Sequence, residues 1–358
     1  MNIYQFFQPI IFNLEAEKAH NLAIKYLKFL PKFSTLFCNN HSYENLQQNI
    51  CGLNFDNPVG LSAGFDKNAE IISTLFRFGF GFVEAGTVTP IAQSGNEMPR
   101  LFRLKEDKAL INRLGFNNLG ADYFYHNIAK LPKTANKIIG INIGKNKDTQ
   151  DFYSDYLQLL EKFYLNADYI TINISSPNTK NLRDIQNVEN LTILIEKLTA
   201  SKNSWHQIHQ KNTPLFLKIA PDLSINQLED IASVALKYQI DGVIISNTTI
   251  ARSHDLKSQN STQNGGLSGA PLFNQSTAIL KEFHRLTKGQ IKLIGVGGIS
   301  NGAEAYEKIK SGASLIQIYS AFIYQGFSLV EEIKKYLSDN LKKDGFKNIS
   351  EAVGILNK

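Results

Sequence analysis

The sequence predicts an α/β fold: a (β/α)8 TIM barrel with an N-terminal helical extension and a β-hairpin insertion. Two observations predict the barrel. Eight short β-branched runs recur from residue 59 onward, most of them ending in Gly, Asn, Ser or Thr. Stretches with helical spacing separate most of them, as expected for parallel strands joined by crossover helices. A third observation, an aromatic-rich segment ahead of the first run, predicts the extension. The competing fold, a doubly wound open sheet, would normally carry its glycine-rich phosphate turn after the first strand.

Residues 1–40 read as a helical domain and 41–358 as the barrel domain. In the first helical piece Tyr4, Phe6, Phe7, Ile10, Ile11 and Phe12 cluster, and Pro9 is expected to interrupt or kink it. Asn13 can cap the second piece, where Ala16, Ala19, Ala23, Tyr26, Leu27 and Leu30 follow helical spacing until Pro31 ends it. The eight strands are expected at Val59–Ala63, Phe82–Val88, Ile138–Ile143, Tyr169–Ile174, Leu215–Ile219, Gly242–Ser246, Lys292–Val296 and Leu315–Tyr319. Helices are expected at Ala69–Phe78, Asp155–Tyr164, Asn226–Tyr238 and Ala303–Lys310. The interval 89–137 is too long for one helix. There Leu101–Leu104 and Ala109–Ile111 alternate around polar Lys105–Lys108, which predicts a hairpin above the barrel. Residues 250–270 are polar and glycine-rich and read as a mobile loop or lid.

Composition narrows the function only coarsely. A net charge of +6 and a pI near 9.0 suit an acidic ligand, a nucleic acid or an anionic membrane surface. Lysines at the strand ends are mostly single, which disfavours a nucleic-acid interface. The two cysteines, Cys38 and Cys51, are too few for a disulfide framework, and no Cys/His cluster suggests a metal. No apolar run approaches the roughly 20 residues of a spanning helix, and the N-terminus lacks the features of a secretory signal.

Active sites of this fold gather where the strands end. Strand one ends Ser62-Ala63-Gly64-Phe65-Asp66-Lys67, strand two Ala85-Gly86-Thr87, and strand three Asn142-Ile143-Gly144-Lys145-Asn146. Strand four gives Asn173, Ser175, Ser176 and Asn178; strand five ends in Lys218, and strand six in Ser246-Asn247-Thr248-Thr249. Any one of these is an ordinary cap or turn residue, but their recurrence at equivalent places marks a site. Strand seven ends Gly295-Val296-Gly297-Gly298-Ile299-Ser300 and strand eight Tyr319-Ser320, the usual phosphate-binding place, with Gly265–Gly269 as a further backbone contact. Lys67 and Lys218 at a barrel mouth require an anion, or an ion pair such as Asp66 with Lys67.

Read together, these stretches resemble the class 2, quinone-dependent dihydroorotate dehydrogenases. The resemblance rests on Ala63–Lys67, Glu84–Pro90, Asn112–Asn118, Gly140–Asn146, Asn173–Asn178, Lys218–Asp222, Ser246–Thr249, Gly265–Gly269 and Gly295–Gly298. It implies a barrel that holds FMN and oxidises (S)-dihydroorotate to orotate in pyrimidine synthesis. FMN would meet Ala63, Gly64, Thr87, Asn142, Asn173, Lys218, Ser246, Gly269, Gly298, Tyr319 and Ser320. Dihydroorotate would meet Lys67, Asn112, Arg113, Leu114, Gly115, Phe116, Asn173, Asn178, Asn247 and Thr248. Ser176 matches the catalytic base, where class 1 relatives carry cysteine, and Thr179 matches a hydroxyl relay partner. The resemblance selects Ser176 over Ser175. His20 and Arg103 match positions lining a quinone tunnel formed by the N-terminal helices, with Tyr319 near its inner end. It also implies a peripheral enzyme on the cytoplasmic face of a bacterial inner membrane, monomeric, with a membrane quinone as partner and no nucleic acid. The competing function is a flavin-free phosphate-binding barrel lyase or isomerase, which accounts for the glycine-rich loops and Lys218 but not for the many amides.

Overall fold

The computed structural model describes residues 3–29, 41–132 and 136–357; Leu30, Pro31 and Cys38 lie outside them. Two helices lead, α1 (Ile3–Asn13) and α2 (Ala16–Phe29). Of the two alternatives expected at Pro9, interruption is absent, for α1 runs through it. An interior proline removes one ladder bond, and tertiary contacts offset the loss: the Tyr4 hydroxyl donates to the Ile323 carbonyl and Gln8 Nε2 to the Tyr324 carbonyl. Nor does Asn13 cap α2. It closes α1, and the Glu15 carboxylate instead accepts from the Glu17 and Lys18 amides at 2.9 and 2.8 Å.

An antiparallel hairpin follows, β1 (Gln48–Ile50) and β2 (Leu53–Phe55), and then β3 (Val59–Leu61), α3 (Ile72–Arg77) and β4 (Phe82–Val88). Next come β5 (Leu101–Leu104), β6 (Ala109–Asn112), α4 (Gly120–Ala129), β7 (Ile138–Ile143), α5 (Phe152–Phe163) and β8 (Tyr169–Asn173). After them run α6 (Val188–His209), β9 (Leu215–Ile219), α7 (Ile225–Lys237), β10 (Gly242–Ile245) and β11 (Gly266–Gly269). The chain ends with α8 (Phe273–Leu286), β12 (Lys292–Val296), α9 (Gly302–Lys310), β13 (Leu315–Ile318), α10 (Ser320–Gln325), α11 (Ser328–Lys343) and α12 (Ile349–Ala352). β3, β4, β7, β8, β9, β10, β12 and β13 close in that order into a parallel barrel, β13 pairing back to β3. All eight expected strands are therefore present, some one or two residues shorter than the runs in the sequence.

Alternation along each strand divides the barrel. Outward residues such as Val83, Ile141, Ile170 and Ile172 join the core beneath the helices. Inward residues form layers. At the N-terminal end Phe82, Tyr169 and Phe216 fill the interior, and the hairpin residues Ile50 and Phe55 plug it. Each ring occupies space that a neighbouring glycine leaves open: a Cβ on Gly60, Gly140 or Gly242 would lie 2.3, 2.1 or 2.2 Å from Phe82, Tyr169 or Phe216 respectively. Toward the other end the inward side chains turn polar.

The expected hairpin β5–β6 is present, and β11 adds a third antiparallel strand to it. That corrects the reading of residues 250–270 as a loop throughout. The segment ahead of β11 is also tied down. Arg252 donates to the carbonyls of Ser261, Gln263 and Gly265, and the Asp107 carboxylate accepts from the Lys257 and Ser258 amides. Arg252 thus ties the segment down through backbone carbonyls, while neighbours such as Ser253, His254, Asp255 and Lys257 are exposed.

Candidate active site

At the C-terminal mouth of the barrel, under the β5–β6–β11 sheet, lies a cavity of about 140 Å³. Every barrel strand except β7 contributes to it directly or through the loop at its end, because inward residues at strand ends converge there. Ala63, Gly64, Thr87, Asn173, Lys218, Ser246 and Tyr319 line it, as do Lys67, Asn112, Leu114, Gly115, Phe116, Asn178, Asn247 and Thr248. Ser176 also lines it, whereas Ser175 is fully buried below. Ser175 Oγ donates to Asn173 Oδ1 at 3.2 Å and accepts from Asn247 Nδ2 at 3.0 Å. Alternation does not separate the two serines, because β8 ends at Asn173.

A smaller cavity of about 50 Å³ continues from the first through shared Val296, Gly297 and Tyr319. Gly269, Gly298 and Ser320 line it, so the glycine loops after β12 and β13 do sit beside the first cavity. Gly298 is required there: its φ is +80°, and a Cβ would meet the Phe273 backbone at 2.4 Å.

Two expected residues lie elsewhere. Asn142 is fully buried one layer beneath the cavity, where its Oδ1 accepts from Thr87 Oγ1 at 2.5 Å and Asn173 Nδ2 at 3.2 Å. Arg113 does not line the cavity. Its guanidinium stacks on Phe102 and donates to Pro99 O, Gln263 Oε1 and Asn264 O, bracing the sheet above the site.

The electrostatics favour bound anions. Burial pushes the Lys67 ammonium down to about 8, with Glu17 opposing and Arg100 reinforcing the shift. Lys67 donates to Asn117 Oδ1 at 2.9 Å. Asp66 is not its ion-pair partner: that carboxylate accepts from the Glu70 and Ile71 amides, each at 2.8 Å. Lys218 is buried; its Nζ donates to Ser62 Oγ at 3.1 Å and stands 3.8 Å from Glu84 Oε1. The Thr248 hydroxyl, in the cavity wall, and the Thr179 hydroxyl are buried without a hydrogen-bond partner. Unpaired buried hydroxyls at a cavity are unusual and suit a polar ligand or a proton relay.

Sequence reasoning missed three groups. Arg183 clamps two site loops together, donating to Ser175 O at 3.1 Å, Thr248 O at 2.9 Å and Asp222 Oδ2 at 2.8 Å; a lone arginine in a polar loop carries no distinguishing pattern. Ser62 and Asn117 stood inside quoted motifs without a role. Glu84 had a readable signal, a carboxylate in phase with inward Phe82 on a buried strand.

Beside α2, the His20 ring packs edge-on against Phe65 at 5.3 Å, and Phe65 against Tyr319 at 6.0 Å. Burial, then Lys67, pushes His20 down to about 3, so it is neutral. Arg103 donates to the Phe12 and Leu14 carbonyls and so fastens the α1–α2 turn to β5. Phe6, Ile10, Tyr26 and Phe29 are exposed. Among the described residues no helix is long and apolar enough to cross a membrane, and no cluster of His, Cys, Asp or Glu could hold a metal ion.

Comparison with known proteins shows the family and the fold. The dihydroorotate dehydrogenase family model matches residues 45–341. A dihydroorotate dehydrogenase (quinone) of Rhodopseudomonas palustris (strain BisA53) is 47% identical, the match covering 97% of this chain and 94% of the relative. A mitochondrial dihydroorotate dehydrogenase (quinone) of Oryza sativa subsp. japonica is 44% identical over 98% of this chain and 79% of its own. Among solved structures, DHODH from Eimeria tenella in complex with ferulenol superposes with a TM-score of 0.88 at 38% identity, covering 94% of this chain and 96% of that one.

Proposed function

The chain belongs to the dihydroorotate dehydrogenase family, and from that premise we propose that it oxidises (S)-dihydroorotate to orotate with a quinone as acceptor, through bound FMN, in de novo pyrimidine synthesis. The carrying observation is the pair of joined cavities. Ser176, Lys67 and five asparagines surround one end, and a glycine cradle closes the other. A flavin with its phosphate fits such a pair in chemistry. The Gln317 Oε1 atom, beside the cradle, is a buried unpaired acceptor suited to a ligand hydroxyl, and the buried Lys218 Nζ stands 3.8 Å from the Glu84 carboxylate. Ala63, Gly64, Thr87, Asn173, Lys218 and Ser246 would hold the ring system, with Asn142 supporting from beneath. Gly269, Gly298, Tyr319 and Ser320 would hold the phosphate.

Bound FMN supplies the two-electron acceptor for hydride leaving C6 of dihydroorotate. The chain's own groups do the rest. Lys67, Asn112, Asn178 and Asn247 hold the substrate carboxylate and ring amides, with Leu114, Gly115 and Phe116 closing over them. Ser176 removes the C5 proton. A serine hydroxyl is a weak base, so it must pass its own proton on as it takes one, and the buried, unpaired Thr179 hydroxyl, three residues along the chain, is the candidate acceptor. Lys218 places fixed positive charge where negative charge accumulates.

The N-terminal domain, residues 1–40, serves the quinone. Exposed Phe6, Ile10, Tyr26 and Phe29 support docking on a lipid surface, peripheral on the cytoplasmic side of a bacterial inner membrane and as a monomer. His20, Phe65 and Tyr319 line the route inward. Anaerobic titration of the purified protein with dihydroorotate, followed by quinone, tests the reading. Flavin absorbance should bleach and then recover. A colourless protein would point to the flavin-free lyase or isomerase instead.

A further inference from the structure

Glu84 lies on β4 with no exposed surface, and the proposed reaction makes no use of it. A carboxylate inside a barrel is costly unless its lone pairs are taken. Its Oε1 accepts from Asn142 Nδ2 at 2.8 Å. Its Oε2 accepts from Tyr169 OH at 3.1 Å, Thr171 Oγ1 at 3.0 Å and Gln317 Nε2 at 2.9 Å. Lys218 Nζ stands 3.8 Å from Oε1. Four donors and a cation thus surround its two oxygens and take up their lone pairs.

We propose that Glu84 is a positioning residue that fixes which way the Asn142 and Asn173 amides face and supplies the counter-charge beside Lys218. The inference rests on the flavin reading of the site. Amide oxygen and nitrogen are alike in shape, so a ladder of asparagines has two polarities unless one end allows only one. In every one of these contacts the Glu84 oxygens accept and donate nothing. Asn142 must therefore turn its NH2 group down to Glu84 and its Oδ1 up, where Thr87 Oγ1 and Asn173 Nδ2 donate to it. Asn173 in turn keeps its Oδ1 for Ser175 Oγ and Asn247 Nδ2. The hydrogen-bond pattern beside Ser176 is thus set from the floor of the site.

The same carboxylate faces Lys218. Burial pushes that ammonium down and Glu84 opposes the shift. The other titratable group packed on the pair is Tyr169, with Asp168 beyond it; burial and Glu84 push the Tyr169 hydroxyl far up, so it stays neutral.

The test is Glu84→Gln in the flavin-loaded full chain. Glutamine keeps the volume but must donate, so one donor now meets a donor and Lys218 loses its counter-charge. We expect the flavin midpoint potential to move by about 30 mV or more, a tenfold change in a two-electron equilibrium. Anaerobic reduction by dihydroorotate should slow at least tenfold, and the potential should acquire a pH dependence that Lys218→Met abolishes. A loaded, stable variant with the wild-type potential and rate overturns the inference. Should Glu84→Gln fail to fold or retain flavin, the double variant with Lys218→Met decides. Recovery of the folded chain, read by its melting temperature because Lys218 would itself hold flavin, supports the coupling, and continued failure to fold makes Glu84 structural and overturns it. A wild-type protein that binds no flavin is a separate result, which overturns the functional reading and this inference with it.

Discussion

Replacing Glu17 by Gln tests whether the N-terminal helices are anchored to the site by one buried ion pair. Arg100 grips Glu17 bidentately, Nε to Oε2 at 2.9 Å and Nη2 to Oε1 at 2.7 Å, and both side chains are only 7% exposed. Breaking such a pair by neutralising one partner costs about 3–5 kcal/mol. Arg100 Nη1 keeps two other acceptors, the Ser94 and Asn96 carbonyls, each at 2.6 Å. Partial satisfaction places the loss at the low end, about 3 kcal/mol. With an unfolding entropy of about 2.1 cal/mol/K per residue, a chain of 358 residues loses roughly 1.3 °C per kcal/mol, so Tm should fall by about 4 °C. The pH dependence supplies a second check. The hydrogen bond from Arg100 holds the Glu17 carboxyl below its usual value of 4.5, against the effect of burial. A depressed folded-state pKa gives stability that is present above the unfolded value and lost as pH falls through the folded one. Scanning calorimetry should therefore show the full gap between wild type and variant at pH 7, shrinking below about pH 4.5. A gap under 1 °C at pH 7, or one that does not change with pH, would refute the reasoning.

Ser176→Ala should slow anaerobic flavin reduction by dihydroorotate at least about 10²-fold, the low end for a general base, with flavin absorbance retained; stopped-flow reduction at the wild-type rate would sink the assignment. Lys67 is cationic below about pH 8 and neutral above it, so kcat/KM for the anionic substrate should fall about tenfold per unit above pH 8. In Lys67→Met the value should be low throughout and that limb absent, which a steady-state pH profile measures. Phe6 and Ile10 are 68% and 64% exposed; changing both to Asp should abolish co-sedimentation with anionic liposomes while leaving reduction by dihydroorotate within about twofold, since exposed substitutions perturb stability little. Liposome binding equal to wild type would remove the membrane role of α1.

The barrel was legible because its strands carry β-branched runs whose length and spacing physics constrains tightly. The two-strand plug β1–β2 was not, since three residues per strand give no alternation to read. Its clearest mark is Cys51-Gly52, both with positive φ, as a tight hairpin turn needs. β11 was hidden for the opposite reason: Gly266-Leu267-Ser268-Gly269 has little β propensity and is a strand because β6 offers an edge to pair with. Among site residues, those at strand ends were legible from the fold alone. Which serine faces the cavity was not, because the chain leaves strand geometry at Asn173, and alternation says nothing beyond that point. Arg113 shows the opposite limit: a basic residue inside a matching motif is spent on the sheet above the site, a use that only its partners reveal.

The inward positions of β8 explain why the chemistry sits where it does. Tyr169, Thr171 and Asn173 are two residues apart and face the same interior, yet each meets a different environment. Tyr169 packs on Phe82 and Phe216 above the hairpin plug, where water is excluded. Thr171 reaches the Glu84 carboxylate. Asn173 lines the cavity. The sealed aromatic end supplies rigidity and low dielectric, which strengthens each polar contact stacked on it. A carboxylate one layer up then has a fixed place and fixed partners, and the amides above it inherit their direction. The open end is left with oriented donors, one buried lysine and a serine. Moving Asn173 or Lys218 one residue along its strand would turn it into the helix-facing core, so the period of two holds these groups in the site as firmly as their hydrogen bonds do.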